Sequence, residues 1–546
     1  MWVSHFRLAP MNFDYSPRYT SRRLPVFGRD VAATSHPLAS QAGLKMLQSG
    51  GNAADAAVAM AACMTVVEPC SNGLGSDLFA IVWDGSQLLG LNASGHSPAA
   101  WNPSYFRSRH GDQLPRRGVD TITIPGAVSG WAALHGRLGC LPFADVLAPA
   151  MEIAERGCAV PVVVQEKWVL AAGVEELTRQ PGFAETFLPR GRVPQVGERF
   201  AMPAAARTLR QIARTKGESF YCGEVAQAIA AHVQAHGGAM QASDLAAYRP
   251  EWVTPLSQNY RDHTLHEIPP NGQGIAAQMA AGIVQHLNIG EHAVDSTMSC
   301  HLQIEAMKLA FADVYRHVSD PRTMSVTAGQ MLDPAYLAQR AKLIDRRRAQ
   351  EFEAGDLPRG GTIYLTAADR GGMMVSLIQS NYMGCGSGVV VPDWCISLQN
   401  RGHGFTLDES SANLVAPHKR PFHTIIPAFL TQGGQPVMSF GVMGGHMQPQ
   451  GHLQMLVRIL DYGQNPQMAC DGPRWRVNGG LSVNVEPHMP AATLEGLAAL
   501  GHQLDGLNDT YMDFGAGQFI WRLGDPAVEG YVAASDPRRD GAAVAW

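Results

Sequence analysis

Apolar positions along the chain fall into runs of distinct period. Residues 55–67 are apolar on almost every side, Ala-Ala-Val-Ala-Met-Ala-Ala-Cys-Met-Thr-Val-Val after Asp55. A helix without a polar face has to be covered all round, so this run predicts an interior helix. Ser35 or Ser40 can cap a helix through residues 41–47, which Gly50-Gly51-Asn52 then ends. Shorter runs have strand length. Residues 79–83 and 88–92 flank Asp84-Gly85-Ser86 and predict a hairpin. Residues 362–369 and 373–379 flank Arg370-Gly371-Gly372 and predict a second one. The pattern of residues 120–310 is mostly helical, with breaks at Pro125-Gly126 and Pro269-Pro270-Asn271-Gly272. Residues 1–30 have no such order and predict an arm lying on the surface. Residues 344–359 are charged and polar and close on Pro358 and Gly360-Gly361, which is linker chemistry. An exposed linker thus meets a buried hairpin at Gly361-Thr362.

Composition adds bulk and excludes partners. The 546 residues are 46% hydrophobic and 16% charged, with 57 glycines, which suits a loop-rich α/β enzyme. Length alone would suggest about three or four ordinary domains, single large folds being the exception. The net charge of −5 and the lack of a basic block beyond Arg346-Arg347-Arg348 speak against nucleic-acid binding. Nine cysteines, an odd number with no C-x-x-C pair, speak against a disulfide framework or a zinc site. No apolar run is long enough to span a membrane. Arg18, Arg22 and Arg23 interrupt the N-terminal segment before an apolar stretch of signal length, so the expected location is cytoplasmic.

Familiar catalytic signatures are missing: there is no G-x-S-x-G, no H-E-x-x-H and no G-x-x-x-x-G-K-[ST]. Gly384-Cys385-Gly386-Ser387-Gly388 lacks the spacing and following helix of a dinucleotide loop. His418 and His423 have no acidic or cysteine partner at a matching spacing, so neither a metal nor a cofactor is expected. Gly361-Thr362 remains. A threonine hydroxyl needs a base, and when threonine begins a chain its own α-amine can serve. That amine has a pKa of about 7.7–8.0, so part of it is neutral near pH 7. The chemistry requires the bond before Thr362 to be cut, and Gly361 gives the backbone the freedom an N-to-O acyl shift needs.

Ordered blocks around this point carry a resemblance. They include Ala39-Ser-Gln-Ala-Gly-Leu-Lys-Met-Leu-Gln-Ser-Gly50-Gly-Asn-Ala-Ala-Asp, Glu68-Pro-Cys-Ser-Asn-Gly-Leu-Gly75-Ser-Asp-Leu-Phe79 and Ile124-Pro-Gly-Ala-Val-Ser-Gly130-Trp131. Ser380-Asn381-Tyr382, Gly386-Ser387-Gly388, Lys419-Arg-Pro-Phe-His-Thr424, Gly444-Gly445 and Ala534-Ser-Asp-Pro-Arg538 follow. Over about residues 30–546 the chain resembles the γ-glutamyltransferases, N-terminal-nucleophile hydrolases. The resemblance implies a four-layer αββα sandwich made as a proenzyme, cut into a large fragment 1–361 and a small fragment 362–546. It implies acyl-enzyme hydrolysis or transfer at γ-glutamyl or related amides, with a small-molecule amide as substrate and water or an amine as acceptor. Thr362 would be the nucleophile, Ser380 its helper and Gly444-Gly445 the oxyanion turn. Homo-oligomers of processed heterodimers are compatible with it.

Departures from the typical pattern bear on the substrate. Ser94 stands where typical members hold the glutamyl α-carboxylate with an arginine. Arg401 and Gly404 stand where a glutamine and an aspartate hold the α-amine. Ser380 replaces a second threonine, and His423-Thr424 replace a serine pair. With Asn381 and Tyr382, these residues make the expected acyl site. The changes favour an acylase-like branch acting on glutaryl-type or small oxamate-like amides. A catalytically inactive binding protein on the same fold is the reading from another class.

Overall fold

The computed structural model describes residues 23–352, 361–506 and 514–546. Of the expected arm at residues 1–30 and the expected linker at residues 344–359, residues 1–22 and 353–359 lie outside them, and Val26–Gly28 of the arm pairs as a sheet strand instead. Fourteen strands build two sheets: β1 Val26–Gly28, β2 Val31–Thr34, β3 Asp77–Trp83, β4 Leu88–Ala93, β5 Glu251–Val253, β6 Leu256–Tyr260 and β7 His263–Glu267. They continue with β8 Gly361–Ala368, β9 Met374–Tyr382, β10 Ala428–Gln432, β11 Gln435–Met443, β12 Ala516–Arg522, β13 Tyr531–Ser535 and β14 Ala542–Ala545. One sheet runs β1-β13-β12-β11-β10-β7-β6, the other β14-β2-β8-β9-β3-β4-β5. Every neighbouring pair in both is antiparallel.

Why the strands read as unbroken apolar runs follows from their two faces. In β3, Leu78, Ala80 and Val82 enter a core shared with helices, while Phe79, Ile81 and Trp83 enter the core between the sheets. Alternate side chains of a strand point oppositely, so two covered faces require apolar residues at both parities. Helices α1 Pro37–Gln48, α2 Ala53–Val67, α3 Ala127–Leu138 and α4 Phe143–Arg156 cover the outer face of the second sheet. Helices α5 Gly274–Val284, α6 Thr297–His317 and α7 Met447–Leu460 cover the first. This is the expected αββα sandwich. The sheets approach closely at Gly441, where an added Cβ would lie 2.5 Å from the Tyr364 ring.

Local structure corrects three expectations. Neither Ser35 nor Ser40 caps α1; His36 does, with Nδ1 accepting from the Leu38 amide at 3.2 Å. Pro37 at the first helical position fixes φ there and sets that start. Ser35 instead donates to Glu68, and Ser40 to the Ala542 carbonyl. The stretch 120–310 holds β5, β6 and β7, whose half-exposed polar positions hide the strand pattern. The first part of the expected linker is anchored. The Asp345 carbonyl faces His301 Nε2 at 2.9 Å, and the Gln350 amide donates to Glu305 at 3.1 Å.

Candidate active site

Thr362 sits in a β-bulge at the start of β8. Gly361 pairs with Tyr382 and Ile363 with Gln379, so one residue, Thr362, faces two, Ser380 and Asn381. Bulges re-aim side chains, and this one turns the Thr362 hydroxyl onto Ser380, 3.2 Å between the oxygens. Ser380 Oγ also accepts from the Tyr382 amide at 2.8 Å. Tyr382 has φ +78°, a left-handed backbone that costs a non-glycine residue about 1–3 kcal/mol. The Arg401 guanidinium packs over its ring, with Cζ 4.2 Å from the ring centre.

Arg401 is entirely buried. Its Nη1 donates to Thr424 Oγ1 at 2.8 Å, while Nε and Nη2 have no partner among the described residues. Burial lowers its pKa to about 10, against the opposing pull of Asp77, so it stays cationic at neutral pH. Unpartnered buried donors are costly, and donors of this kind mark a place for an anionic or water ligand. His423 packs behind this residue. Its Nε2 donates to Asp77 Oδ2 at 3.0 Å, while Nδ1 accepts from the Ile425 amide at 3.4 Å, so the imidazole is neutral. Burial, with Arg401 and Arg420 nearby, pushes its pKa well below the usual value.

Gly444 and Gly445 link β11 to α7 with φ of +124° and +62°. The turn therefore needs glycine, and it leads into a helix N-terminus, where amide dipoles favour negative charge. Gln273 ties it to the acyl side, since Nε2 donates to the Gly445 carbonyl at 2.9 Å and to the Thr424 carbonyl at 2.6 Å. A continuous set of contacts thus runs from Thr362 through Ser380, Tyr382, Arg401 and Thr424 to Gly445. His446, next in the chain, bonds Tyr315 through Nδ1 at 2.8 Å and leaves Nε2 unpartnered among the described residues.

Other expected site residues lie elsewhere or are engaged. Asn381 is a strut: Oδ1 accepts from Ser76 and Nδ2 donates to Ser397. Ser94 is buried against Asn92 and Asn271. A cleft of about 560 Å³ opens beside it, walled by Asn92 and Arg420, both bonded to Ser94, and by Arg249, Glu251 and Arg322. Neither Thr362 nor Arg401 lines that cleft. Gly404 lies under the Phe422 carbonyl, where a Cβ would come within 3.0 Å. His423 is buried against Asp77, and His418 lines the cleft beside Ser94. Among the described residues the one cluster of metal-ligating type is His301, Glu305 and His502. There Lys308 donates to Glu305 at 2.8 Å, and the two imidazoles bond each other at 2.8 Å. The sequence pattern did not single out Asp77 or Gln273. Asp77 lies inside a quoted block, and a carboxylate heading an otherwise apolar strand was the available signal.

The family profile described as Gamma-glutamyltranspeptidase matches residues 39–546. The chain belongs to this family. Among curated relatives, the glutathione hydrolase-like YwrD proenzyme of Bacillus subtilis is 35% identical over 94% of this chain and 98% of its own length. The oxamate amidohydrolase proenzyme of Klebsiella pneumoniae is 37% identical over 94% and 98%. Among solved structures, the cephalosporin acylase of Bacillus halodurans superposes with a TM-score of 0.93 at 45% identity, covering 98% of this chain and 99% of that one. The γ-glutamyltranspeptidase fold and its hydrolase chemistry are therefore those of this chain, which is an enzyme of the self-processing amide-hydrolase class.

Proposed function

We propose that the enzyme cleaves amides of a carboxylate-ended acyl group, of glutaryl type, through an ester formed on Thr362 after the chain is cut between Gly361 and Thr362. The observation that carries the substrate reading is the buried Arg401 with two nitrogens unpartnered among the described residues. A planar guanidinium offers paired N–H groups to a carboxylate, and such charge-assisted pairs are strong. In hydrolysis the freed α-amine takes the Thr362 proton and the hydroxyl oxygen attacks the amide carbon. Oxygen charge then develops toward the Gly444-Gly445 turn, and the amine product leaves with a proton. Water repeats the sequence on the ester. An oxyanion donor of this kind is worth about 3–4 kcal/mol.

A γ-glutamyl group fits less well. Its α-ammonium would meet Arg401, and Gly404 offers no carboxylate. Leaving a charge buried without a partner costs several kcal/mol. The names of the acylase and oxamate relatives support an acyl group other than γ-glutamyl. The test compares kcat/KM for glutaryl and γ-glutamyl anilides, with Arg401→Gln beside the wild type. The glutaryl compound should win at least tenfold, and Arg401→Gln should erase most of that lead while sparing an uncharged pentanoyl anilide. A tenfold preference for γ-glutamyl would refute the assignment.

A further inference from the structure

We propose that His446 is a positioning residue for the reaction: its imidazole, fixed by the Tyr315 hydroxyl, holds the Gly444-Gly445 turn where that turn meets the negative oxygen of the acyl-transfer intermediate. The inference rests on the reading of that turn as the oxyanion site. Gly444 and Gly445 both have positive φ and no side chain to fix them, so their place depends on what flanks them. On one flank Met443 ends β11, paired with Ala516 of β12. On the other stands His446, which is buried.

The imidazole has one polar contact among the described residues. Its Nδ1 faces the Tyr315 hydroxyl at 2.8 Å, and Nε2 is unpartnered. When the phenol donates to Nδ1, Nε2 carries the ring proton and one donor is left over. The other tautomer strands both the phenol proton and a nitrogen lone pair, so the first is favoured. Burial, with Arg476 and Arg401 nearby, brings the imidazole pKa down to about 3, and the ring stays neutral. Aromatic neighbours fix its plane. It stacks on Phe422, ring centres 6.2 Å apart and planes at 11°. Tyr315 meets both rings edge-on, 5.6 Å from His446 and 5.7 Å from Phe422. Tyr315 in turn stacks on Phe311, one turn earlier in α6, at 5.2 Å. The His446 carbonyl accepts from Gln450 Nε2 at 3.1 Å.

These contacts join separate parts of the site. Tyr315 belongs to α6 of the large fragment, and His446 leads into α7 of the small one. Phe422 lies two residues before Thr424, which accepts from Arg401. The oxyanion turn is therefore tied to the acyl side twice, by Gln273 and by this cluster of rings. A donor that meets charge only in the transition state acts on kcat more than on KM, and a small displacement weakens it.

The experiment begins with Tyr315→Phe, which removes the hydroxyl and keeps the ring. Its kcat on an anilide substrate should fall about tenfold at nearly unchanged KM, less than the roughly 10²–10³-fold that outright loss of an oxyanion donor costs. His446→Phe should lose as much, and the double variant no more, because each change breaks the same bond. Inhibition by carboxypropylboronic acid separates positioning from general loosening. The Thr362 oxygen adds to its boron, the hydroxyl proton passing to the α-amine, and the tetrahedral borate puts an oxygen at the oxyanion site. Its Ki should rise about tenfold in either variant, while that of glutarate, which forms no tetrahedral centre, should stay. Equal boronate inhibition of wild type and variants overturns the inference, as do losses that multiply in the double variant. Should Tyr315→Phe fail to mature into two fragments, His446→Phe decides. If neither matures, the pair serves folding and the inference falls. A wild type that the boronic acid does not inhibit would instead refute the reading of Thr362 and the turn. A wild type that prefers butylboronic acid would refute only the glutaryl assignment.

Discussion

A single hydroxyl is asked to do two jobs at Thr362. It attacks the preceding peptide bond during maturation and the substrate amide afterwards, so Thr362→Ala should abolish both. Loss of a nucleophile costs about 10⁶-fold in comparable acyl-enzyme hydrolases, well beyond the loss of a helper. Ser380→Ala should slow both steps by about 10²-fold, because Ser380 orients the Thr362 hydroxyl and holds the Tyr382 amide without itself reacting. Intact mass spectrometry follows maturation and an anilide assay follows hydrolysis. A Thr362→Ala variant that turns over normally would place the nucleophile elsewhere. The nucleophile and its helper were legible in the sequence, because each lies in a short motif. The arrangement behind Arg401 was not. Asp77 is far from Arg401, His423 and Thr424 in the chain, and only the folded sheet brings it to His423.

Elements are joined across the fold by buried ion pairs, and the one ending α2 shows how. Glu68 caps the C-terminus of that helix and meets Lys167, Arg539 and the Ser35 hydroxyl. Burial would raise its carboxyl, but the two cations and their hydrogen bonds outweigh it and bring the pKa down to about 2. An unfolded glutamate titrates near about 4.3, so this group adds stability that is full above that value and lost as pH falls toward 2. Glu68→Gln removes the counter-charge that Lys167 and Arg539 share in the interior. It should cost about 3–5 kcal/mol, read as a lower midpoint in urea at pH 7, with the gap to wild type narrowing at pH 3. An unchanged midpoint would mean that the pair is solvated. At this scale the sequence was informative where both faces are buried. The α2 helix and the β8–β9 hairpin are mostly apolar and buried along their length, whereas β6 and β7 alternate with polar residues and passed for part of a helical stretch.

The whole molecule is woven from the two expected fragments. In one sheet β8 and β9 of the small fragment lie between β2 and β3 of the large one, with β14 outside β2. In the other, β1, β6 and β7 of the large fragment flank β10 to β13 of the small one. Separating the fragments would therefore break strand pairs in both sheets. It would also expose inter-sheet residues such as Phe79, Tyr364, Ile378 and Phe429, each worth about 1.5–3 kcal/mol when buried. Neither fragment has a complete sheet of its own, so neither should fold alone. Cleavage before Thr362 should accordingly leave one particle: a single gel-filtration peak in native buffer, giving two bands on a denaturing gel. The fragments should part only at the denaturant concentration at which circular dichroism is also lost, because dissociation and unfolding are one transition. If the small fragment instead elutes alone while secondary structure persists, the strands are not interleaved as described, and the bulge that aims Thr362 at Ser380 would have no fixed frame.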